Sequence, residues 1–480
     1  MSGTKLVLTT LVASLVLAGC ASVGPDYQRP AMETPASLGA VATQNKQLAV
    51  DYAAWWKSFQ DPVLDSLLDE AAKNNQDLIL AAARIEEARA TAAGTNSNRY
   101  PSVDANLGAS RTRTSENAGK LGVGASPYAK DFQLSLTASY EVDFWGKLSR
   151  ADEAARARLL AQEANRGLVQ SSLYANVAQT YFAMRAADAQ LALADSTLKT
   201  RQESLRLQQK RYTAGATSEL DLHVAESESA AAEISYAQAK QSLSNIESTL
   251  AVLLGRPASA IAQPVIARGN AIDSLHQQLI MPADLPSDLL NRRPDILSAE
   301  QALVAANADI GQAKAQYFPS VKLTTTAGYE SKVFEDLINP ASLLWSLGSS
   351  LVQPVFRAGA IAAVVSGAEA RKNQALAQYV QAVQGAFRDV HDALNNTATN
   401  EQVNVASERR VTALKDSLRL ADLRYKNGYS GYLEVLNAQR DLFQAQSSLI
   451  DSKRAQLSAV VSIYKAVGGG WSKPETLASK

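Results

Sequence analysis

One sequence pattern occurs twice in this chain, and the repetition restricts the folds open to it more than any other feature. The residues Ser204–Leu207 return as Ser417–Leu420, and those from Arg211 to Gly215 are matched at the same offset by those from Arg424 to Gly428. Matches that keep their order over such a separation are the signature of an internal repeat. We therefore predict an internal duplication in which both copies fold in the same way.

Each copy has the same predicted order of elements: a helix, two strands, a very long helix, a glycine turn and a second helix. The first helices are predicted at about 62–98 and 286–317, and the very long ones at about 149–212 and 359–425. Apolar side chains fall every seven residues in the first long helix: Val177, Met184, Leu191, Leu198 and Leu205. This spacing is typical of coiled coils. At 1.5 Å per residue the helix would be a rod of roughly 95 Å.

Four segments alternate apolar and polar residues with the period of a β-strand, at about 103–110, 132–144, 321–329 and 345–351. A strand of about ten residues can cross a bilayer, and lipid tolerates no unpaired strand edge. The smallest closed membrane barrels have about eight strands, whereas this chain supplies four. If the strands face lipid, several chains must therefore share one barrel. A half-buried soluble hairpin is the alternative interpretation of the same pattern.

The N-terminus has the features of an export signal. Lys5 precedes the apolar run Leu6–Leu17, which is followed by Ala18, Gly19 and Cys20. A basic start, a short apolar core and small residues before a cleavage point are typical of a secretory signal peptide. Leu17 to Cys20 resembles a bacterial lipobox, which implies that the only cysteine of the chain is diacylated and becomes the first mature residue. Ala21 in the next position implies transfer to the outer membrane.

Composition excludes several classes of function. Lys and Arg number 47, and so do Asp and Glu, which argues against nucleic acid as the main partner. One cysteine and three scattered histidines predict neither a disulfide framework nor a metal site, and we expect no cofactor. Nucleotide-binding and nucleophile motifs are missing, so we predict no enzymatic activity. The polar run Asp389–Asp392 lies in a helical pattern and is interpreted as a solvated face.

Several motifs together resemble the TolC-like outer-membrane factors, and in particular their NodT-type efflux lipoprotein branch. The most specific motif runs from Leu285 through Arg292-Arg293-Pro294-Asp295-Ile296 to Phe318-Pro319-Ser320. Further matches are Val23–Pro30 after the lipobox, Trp55-Trp56 with Asp61-Pro62, and Gly468–Trp471 near the C-terminus. The resemblance covers nearly the whole mature chain.

The resemblance implies a membrane α+β fold. In such proteins a homotrimer forms an outer-membrane β-barrel with four strands per chain, continued by a long periplasmic α-helical barrel with a mixed equatorial belt. The implied domains are a signal peptide (1–19), a lipidated segment with part of the belt (20–60), a first repeat (61–255), an equatorial linker (256–285), a second repeat (286–468) and an equatorial tail (469–480).

The resemblance also implies a passive exit duct of a tripartite drug-efflux system, located in the outer membrane of a Gram-negative bacterium and extending into the periplasm. Its implied partners are a periplasmic adaptor (membrane fusion) protein, an inner-membrane pump of the resistance-nodulation-division type and outer-membrane lipid. Heavy-metal export and type I protein export are the alternatives among ducts. A coiled-coil scaffolding lipoprotein is the alternative outside them.

The resemblance further implies a gate where the helices turn at the periplasmic end. The candidate gate residues are Leu433, Glu434, Asn437, Leu220 and Asp221. The candidate turn and inter-helix contact residues are Arg211, Tyr212, Gly215, Arg424, Tyr425 and Gly428. Asn437 departs from the family, in which an acidic residue is usual, so the ring has one charge fewer per subunit. We expect Ser218 to cap the helix after the first turn, and Ser430 to do so after the second.

Overall fold

The computed structural model describes residues 22–33, 52–119, 121–122, 124–275 and 290–473. Cys20 and Leu285 therefore lie outside the described residues. Two compact units are present. The first draws its described residues from Met1–Ala31, Ile85–Gln162 and Ala299–Val380, and the second from Met32–Arg84, Glu163–Ser298 and Gln381–Lys480. Each unit takes residues from both predicted repeats.

Long helices and one small sheet account for most of the described structure. The α-helices are α1 (Pro62–Asn74), α2 (Gln76–Ser97), α3 (Lys147–Thr213), α4 (Glu219–Leu253), α5 (Ala258–Ala262), α6 (Pro294–Lys314), α7 (Ala360–Lys426) and α8 (Tyr432–Ala466). The strands are β1 (Ser102–Arg113), β2 (Tyr128–Val142), β3 (Ser320–Ser331) and β4 (Leu343–Val352). Short 3-10 helices lie at Tyr52–Phe59, Glu116–Ala118, Ile272–Ser274, Ala315–Tyr317, Phe334–Asp336 and Pro340–Ser342.

The predicted long helices and all four strands are present. The helices α3 and α7 have 67 residues each, and α4 and α8 have 35 each, so the two predicted copies match in length. Heptad spacing without proline allows helices of this length. Of the helices in the described ranges, none is both long and apolar enough to cross a membrane.

The single helix predicted at about 62–98 is wrong, because the chain breaks at Asn75. Its side-chain oxygen accepts a hydrogen bond of 2.9 Å from the Asp77 N–H and so caps α2, while its amide donates to the Leu253 carbonyl over 2.9 Å. Gly255 fits closely against the same point, since a Cβ atom there would lie 2.1 Å from the Asn74 carbonyl oxygen. An asparagine that caps one helix and binds another element ends the first helix.

In the first unit, the strands form one antiparallel sheet in the order β1-β2-β3-β4. Leu107 of β1 is opposite Leu134 of β2, which is opposite Tyr329 of β3, which is opposite Leu343 of β4. This register gathers the apolar residues on one face, because side chains alternate between faces along a strand. The other face is polar, and its hydroxyls pair across strands, as Thr137 does with Thr326 over 3.2 Å. We call these the apolar face and the polar face.

In the second unit, aromatic side chains form the main core. The ring of Trp55 stacks on that of Tyr464 with 5.3 Å between centroids, and Phe59 contacts Phe182 at 4.8 Å. Buried Asp61 caps α1 and accepts a 2.6 Å hydrogen bond from the Tyr181 hydroxyl. Burial, together with this carboxylate, raises the pKa of Tyr181, so the hydroxyl stays protonated. The residues predicted for the equatorial belt within 52–60 and 256–275 thus contribute to a packed core.

The Arg-Arg-Pro-Asp motif has a structural role in the second unit. The guanidinium of Arg293 is buried and donates to the Asp295 carboxylate at 2.7 Å and to the Asp389 carboxylate at 3.0 Å. A third bond of 2.9 Å reaches the Ala466 carbonyl at the end of α8. Three partners satisfy the buried cation, so this motif holds the start of α6 to α7 and α8.

Candidate functional site: the paired helical turns

The first turn joins α3 to α4 in the second unit. The Gly215 N–H donates to the Tyr212 carbonyl at 2.9 Å, and the Ala216 N–H donates to the Arg211 carbonyl at 2.8 Å. These two bonds form a Schellman motif, whose C′ residue adopts the left-handed conformation. Gly215 has φ of 69°, which glycine adopts without the strain that a side chain brings.

The second turn, between α7 and α8, has the same geometry. The Gly428 N–H donates to the Tyr425 carbonyl at 3.0 Å, and the Tyr429 N–H donates to the Arg424 carbonyl at 2.9 Å. Gly428 has φ of 77°. The repeated Arg-Tyr-x-x-Gly sequence therefore encodes the same helix ending twice, with glycine where the chain must leave the helix.

The helix starts after the two turns differ, and one prediction is wrong there. Ser218 caps α4, since its Oγ accepts a 3.1 Å hydrogen bond from the Asp221 N–H. Ser430 does not cap α8, because Gly431 occupies the N-cap position and offers no side-chain acceptor. Counted from the turn glycine, Ser430 corresponds to Thr217. Its Oγ is buried and has no hydrogen-bond partner among the described residues.

One cross-connection between the two turns centres on Tyr425. Its hydroxyl accepts a hydrogen bond from the guanidinium of Arg211, whose Cζ atom lies 5.5 Å from the centroid of the same ring. Gln208, which is 1% exposed, donates to that hydroxyl at 3.3 Å. The end of α3 is thus bonded to the end of α7 through one phenol group, by a charge-assisted bond, a neutral bond and a cation–π contact.

Two further contacts join neighbouring elements at this level. The Ser204 and Tyr432 hydroxyls lie 2.8 Å apart and connect α3 to α8. The Arg424 Nε atom lies 3.2 Å from a carboxylate oxygen of Glu434, which is in the first turn of α8. Both side chains of this ion pair are about half exposed, so it contributes little to stability.

The other predicted gate residues point outward or bind locally. Leu433 is 60% exposed and Leu220 is 71% exposed. Asn437 is exposed. The Asp221 carboxylate accepts bonds of 2.8 Å from Ser218 and 3.0 Å from Thr217.

Of the predicted inter-helix contact residues, Tyr212 stands apart. It is the counterpart of Tyr425 in the first copy, but it is 40% exposed and has no side-chain partner within the described part of the chain. The structure therefore brings together Arg211 with Tyr425 and Arg424 with Glu434, whereas it leaves Tyr212, Leu220 and Leu433 at the surface.

A charged cluster that no sequence pattern predicted lies farther along the helices. Arg201 is 5% exposed and donates to the Gln439 side chain, and its guanidinium lies 3.6 Å from the Glu228 carboxylate. Glu228 also pairs with Arg440. These residues connect α3, α4 and α8. No local signal identifies this cluster, because Arg201 lies in a strongly polar stretch with Lys199, Gln202 and Glu203, and only packing shows that its charge is buried.

Within the described ranges, no group of three or more His, Cys, Asp and Glu side chains is arranged to hold a metal ion. The site therefore consists of helix ends, hydrogen bonds and exposed leucines.

Comparison with known proteins decides the family. The family model described as outer membrane efflux protein matches residues 67–256 and 285–469. The chain belongs to the outer membrane efflux protein family. It is located, like its relatives, in the outer membrane of Gram-negative bacteria.

Individual relatives match this efflux protein along almost their whole length. The cation efflux system protein CusC of Escherichia coli is 36% identical over 467 residues, which cover 97% of this chain and 98% of CusC. The probable efflux pump outer membrane protein TtgC of Pseudomonas putida is 35% identical over 473 residues, covering 98% and 96%. The CmeC outer membrane channel of Campylobacter jejuni superposes with a TM-score of 0.89 at 26% identity, covering 95% of this chain and 97% of CmeC.

Proposed function

We propose that three copies of this efflux protein form a passive outer-membrane exit duct of a tripartite drug-efflux system. The duct consists of one shared β-barrel and a helical barrel that extends into the periplasm. A periplasmic adaptor and an inner-membrane pump of the resistance-nodulation-division type supply the driving force. The internal duplication then provides six similar helical arms, two from each chain.

The observation that carries this proposal is the two-faced sheet with its free edges. Within the described residues, β1 and β4 each pair on one side only, so their outer edges offer unpaired N–H and C=O groups. Trp345 and Leu347 on β4 are 76% and 75% exposed, as is Leu107 on β1 at 75%. An apolar face with open edges is stable in lipid only when the edges of other chains close the sheet. Three chains of four strands give a closed barrel of a size known for membrane proteins.

The height of the apolar face supports the same proposal. On β2 it runs from Phe132 to Val142, which is about 34 Å along a strand and about 26 Å after a tilt of roughly 40°. Aromatic residues flank it at both ends: Tyr128 and Phe334 lie on the hairpin side, and Trp145 stacks on Phe318 on the helix side. Membrane barrels have an apolar band of about 25 Å between two such aromatic girdles.

The mass of the particle extracted by mild detergent tests this proposal. We expect unheated protein from purified outer membranes to have the mass of three chains. A single-chain mass, or recovery in the soluble fraction, would refute the shared barrel and favour a coiled-coil scaffold.

The paired turns are proposed as the closed periplasmic gate. Exposed Leu433 and Leu220 would line the constriction, with Glu434, Asp221 and Asn437 beside them. The bonds of Arg211 would hold the helix ends in place, and the exposed ion pair of Arg424 would add a smaller contribution. These contacts support the proposal because an adaptor that competes for them would shift the equilibrium towards an open state. We expect Leu433→Ala and Glu434→Ala each to raise the conductance in planar bilayers. Unchanged conductance in both variants would contradict the gate.

Cys20 is proposed as the site of lipid attachment. Each buried methylene of an acyl chain contributes about 0.8 kcal/mol to membrane binding, so several chains give a stable anchor. We expect the mature protein to have the mass of a lipidated chain beginning at Cys20, and a Cys20→Ser variant to lack that added mass. An unmodified cysteine in the mature protein would contradict this assignment.

Cation export is a second candidate for the cargo, because the similarity to CusC is as high as that to TtgC. Expression of this chain in a deletion strain distinguishes drug export from cation export. Restored growth on drugs supports the first candidate, and restored growth on heavy-metal salts alone supports the second. Secretion of a protein cargo would instead support a type I export duct.

A further inference from the structure

We propose that Arg111 and Lys130, assisted by Arg113, bind the phosphates of a glycolipid in the outer leaflet of the membrane. The inference rests on the proposed function in one respect, which is that the apolar face contacts lipid. It adds a specific lipid site on the surface of the barrel.

These three basic residues lie at the hairpin end of the apolar face. Arg111 and Arg113 continue the row of β1 side chains that includes Leu107 and Ala109, and Lys130 continues the β2 row that includes Phe132. All three therefore lie on the apolar face. Lys130 is two residues from Phe132, which is about 7 Å beyond the apolar band. The basic residues thus lie where an acyl region gives way to headgroups.

Two like charges face each other across β1 and β2. Arg111 and Lys130 are direct partners in the register of β1 and β2. Like charges that face each other across strands destabilise a sheet, because their side chains start from Cβ atoms about 5 Å apart. No carboxylate among the described residues pairs with either side chain. An anion bound between them would remove the repulsion and would form two charge-assisted contacts.

The surroundings of the pair favour a lipid phosphate. The guanidinium of Arg111 lies 5.6 Å from the centroid of the Tyr128 ring, and that of Arg113 lies 5.7 Å from the same centroid. Both contacts keep the guanidinium groups at the aromatic end of the band. Arg113 also pairs with Glu116 at 3.3 Å and is therefore partly neutralised.

The chain path indicates the leaflet. β1 follows α2 and β2 leads into α3, so the hairpin between the two strands is at the end of the sheet remote from these helices. In the proposed duct the helices are periplasmic, and the hairpin end faces the outer leaflet. Basic residues beside an acyl region attract phosphate-bearing headgroups, whose acyl chains can then lie along Phe132 and Leu107.

A binding experiment with the intact protein in dodecyl maltoside tests the site. The probes are an acylated glucosamine disaccharide with two phosphates, the same lipid without phosphates, and inorganic phosphate. We expect Lys130→Gln to weaken binding of the phosphorylated lipid about fivefold, and Arg111→Gln/Lys130→Gln to weaken it about thirtyfold. Lys322→Gln is the matched control, because Lys322 is exposed on the polar face. Arg111→Lys/Lys130→Arg should retain binding.

Several results would overturn the proposal. Equal affinities of the Lys130→Gln and Lys322→Gln variants, or equal binding of the lipid without phosphates, would remove the site. Full competition by inorganic phosphate would mean a site for free anions instead of a lipid. The particle mass, measured in the same samples, separates the two levels of inference. If the Arg111 and Lys130 variants have the mass of three chains and bind the phosphorylated lipid as tightly as the wild type, only the lipid site is refuted. A single-chain mass would refute both the shared barrel and the lipid site.

Discussion

Replacing Tyr425 by Phe removes one oxygen atom from the contact between the two turns and leaves the aromatic ring in place. The lost hydroxyl is the acceptor for Arg211 and for Gln208. The cation–π contact of Arg211 and the packing of the ring against Tyr432 are retained, because both depend on the ring alone. The substitution therefore isolates the hydrogen bonds at this end of the helices.

The free energy that Tyr425→Phe removes from this contact follows from the two hydrogen bonds. A hydrogen bond to a charged donor contributes about 1.5–3 kcal/mol and a neutral one about 1 kcal/mol. Arg211 is partly exposed, which reduces the first term, whereas Gln208 is 1% exposed and would keep a buried amide without its partner. We take about 2 kcal/mol for the sum. If the bonds exist only in the closed state, the open-to-closed ratio rises about thirtyfold for each subunit whose helix ends separate.

Single-channel recording in planar bilayers measures this ratio. Tyr212→Phe is the matched control, because Tyr212 is the repeat counterpart of Tyr425 and its hydroxyl has no side-chain partner in the described structure. We expect Tyr425→Phe to raise the open probability strongly and Tyr212→Phe to leave it near the wild-type value. Equal open probabilities for the two variants would refute the reasoning.

Three further predictions concern stability. Arg293→Met leaves the Asp295 and Asp389 carboxylates without their buried cation, so we expect a loss of about 3 kcal/mol in thermal or denaturant unfolding, and a variant as stable as the wild type would contradict the assigned role. Burial acts to raise the pKa of Asp389, but bonds from Arg388 and Arg293 outweigh it and hold that pKa below its usual range. The contribution of Asp389 to stability is therefore present above the unfolded pKa near 4 and is lost as pH falls through the lower folded pKa. Asp389→Asn should reduce the pH dependence of the free energy of unfolding across that acidic range. Ser218→Ala removes a helix cap and should destabilise the protein by about 1 kcal/mol, whereas Ser430→Ala should not, since Ser430 caps no helix; equal losses would contradict the difference between the two turns.

The sequence carries the regular elements of this fold well, because their periods are written in many residues at once. Alternation over seven to thirteen positions identified β1 to β4, and the heptad spacing identified α3. The break at Asn75 was missed because a single asparagine causes it through a contact with Leu253, which is remote in sequence.

The candidate site was only partly predictable for the same reason. The glycines of the two turns follow from local conformation, so Gly215 and Gly428 were found. The choice of Tyr425 over Tyr212 as a bonding partner depends on which helix ends lie side by side, and no local pattern encodes that. The role of Gln208 likewise emerges only from packing.

The free edges of the sheet have a consequence for biogenesis. In the proposed trimer, strands β1 and β4 of one chain acquire partners only from other chains, so a lone chain cannot satisfy its backbone within lipid. Insertion and assembly would then be one coupled event, and its rate would depend steeply on the concentration of free chains. Chains that wait for partners would present long apolar edges to each other and to other proteins. When synthesis is slow, chains would therefore be lost to misassembly or proteolysis, and few would assemble into working ducts.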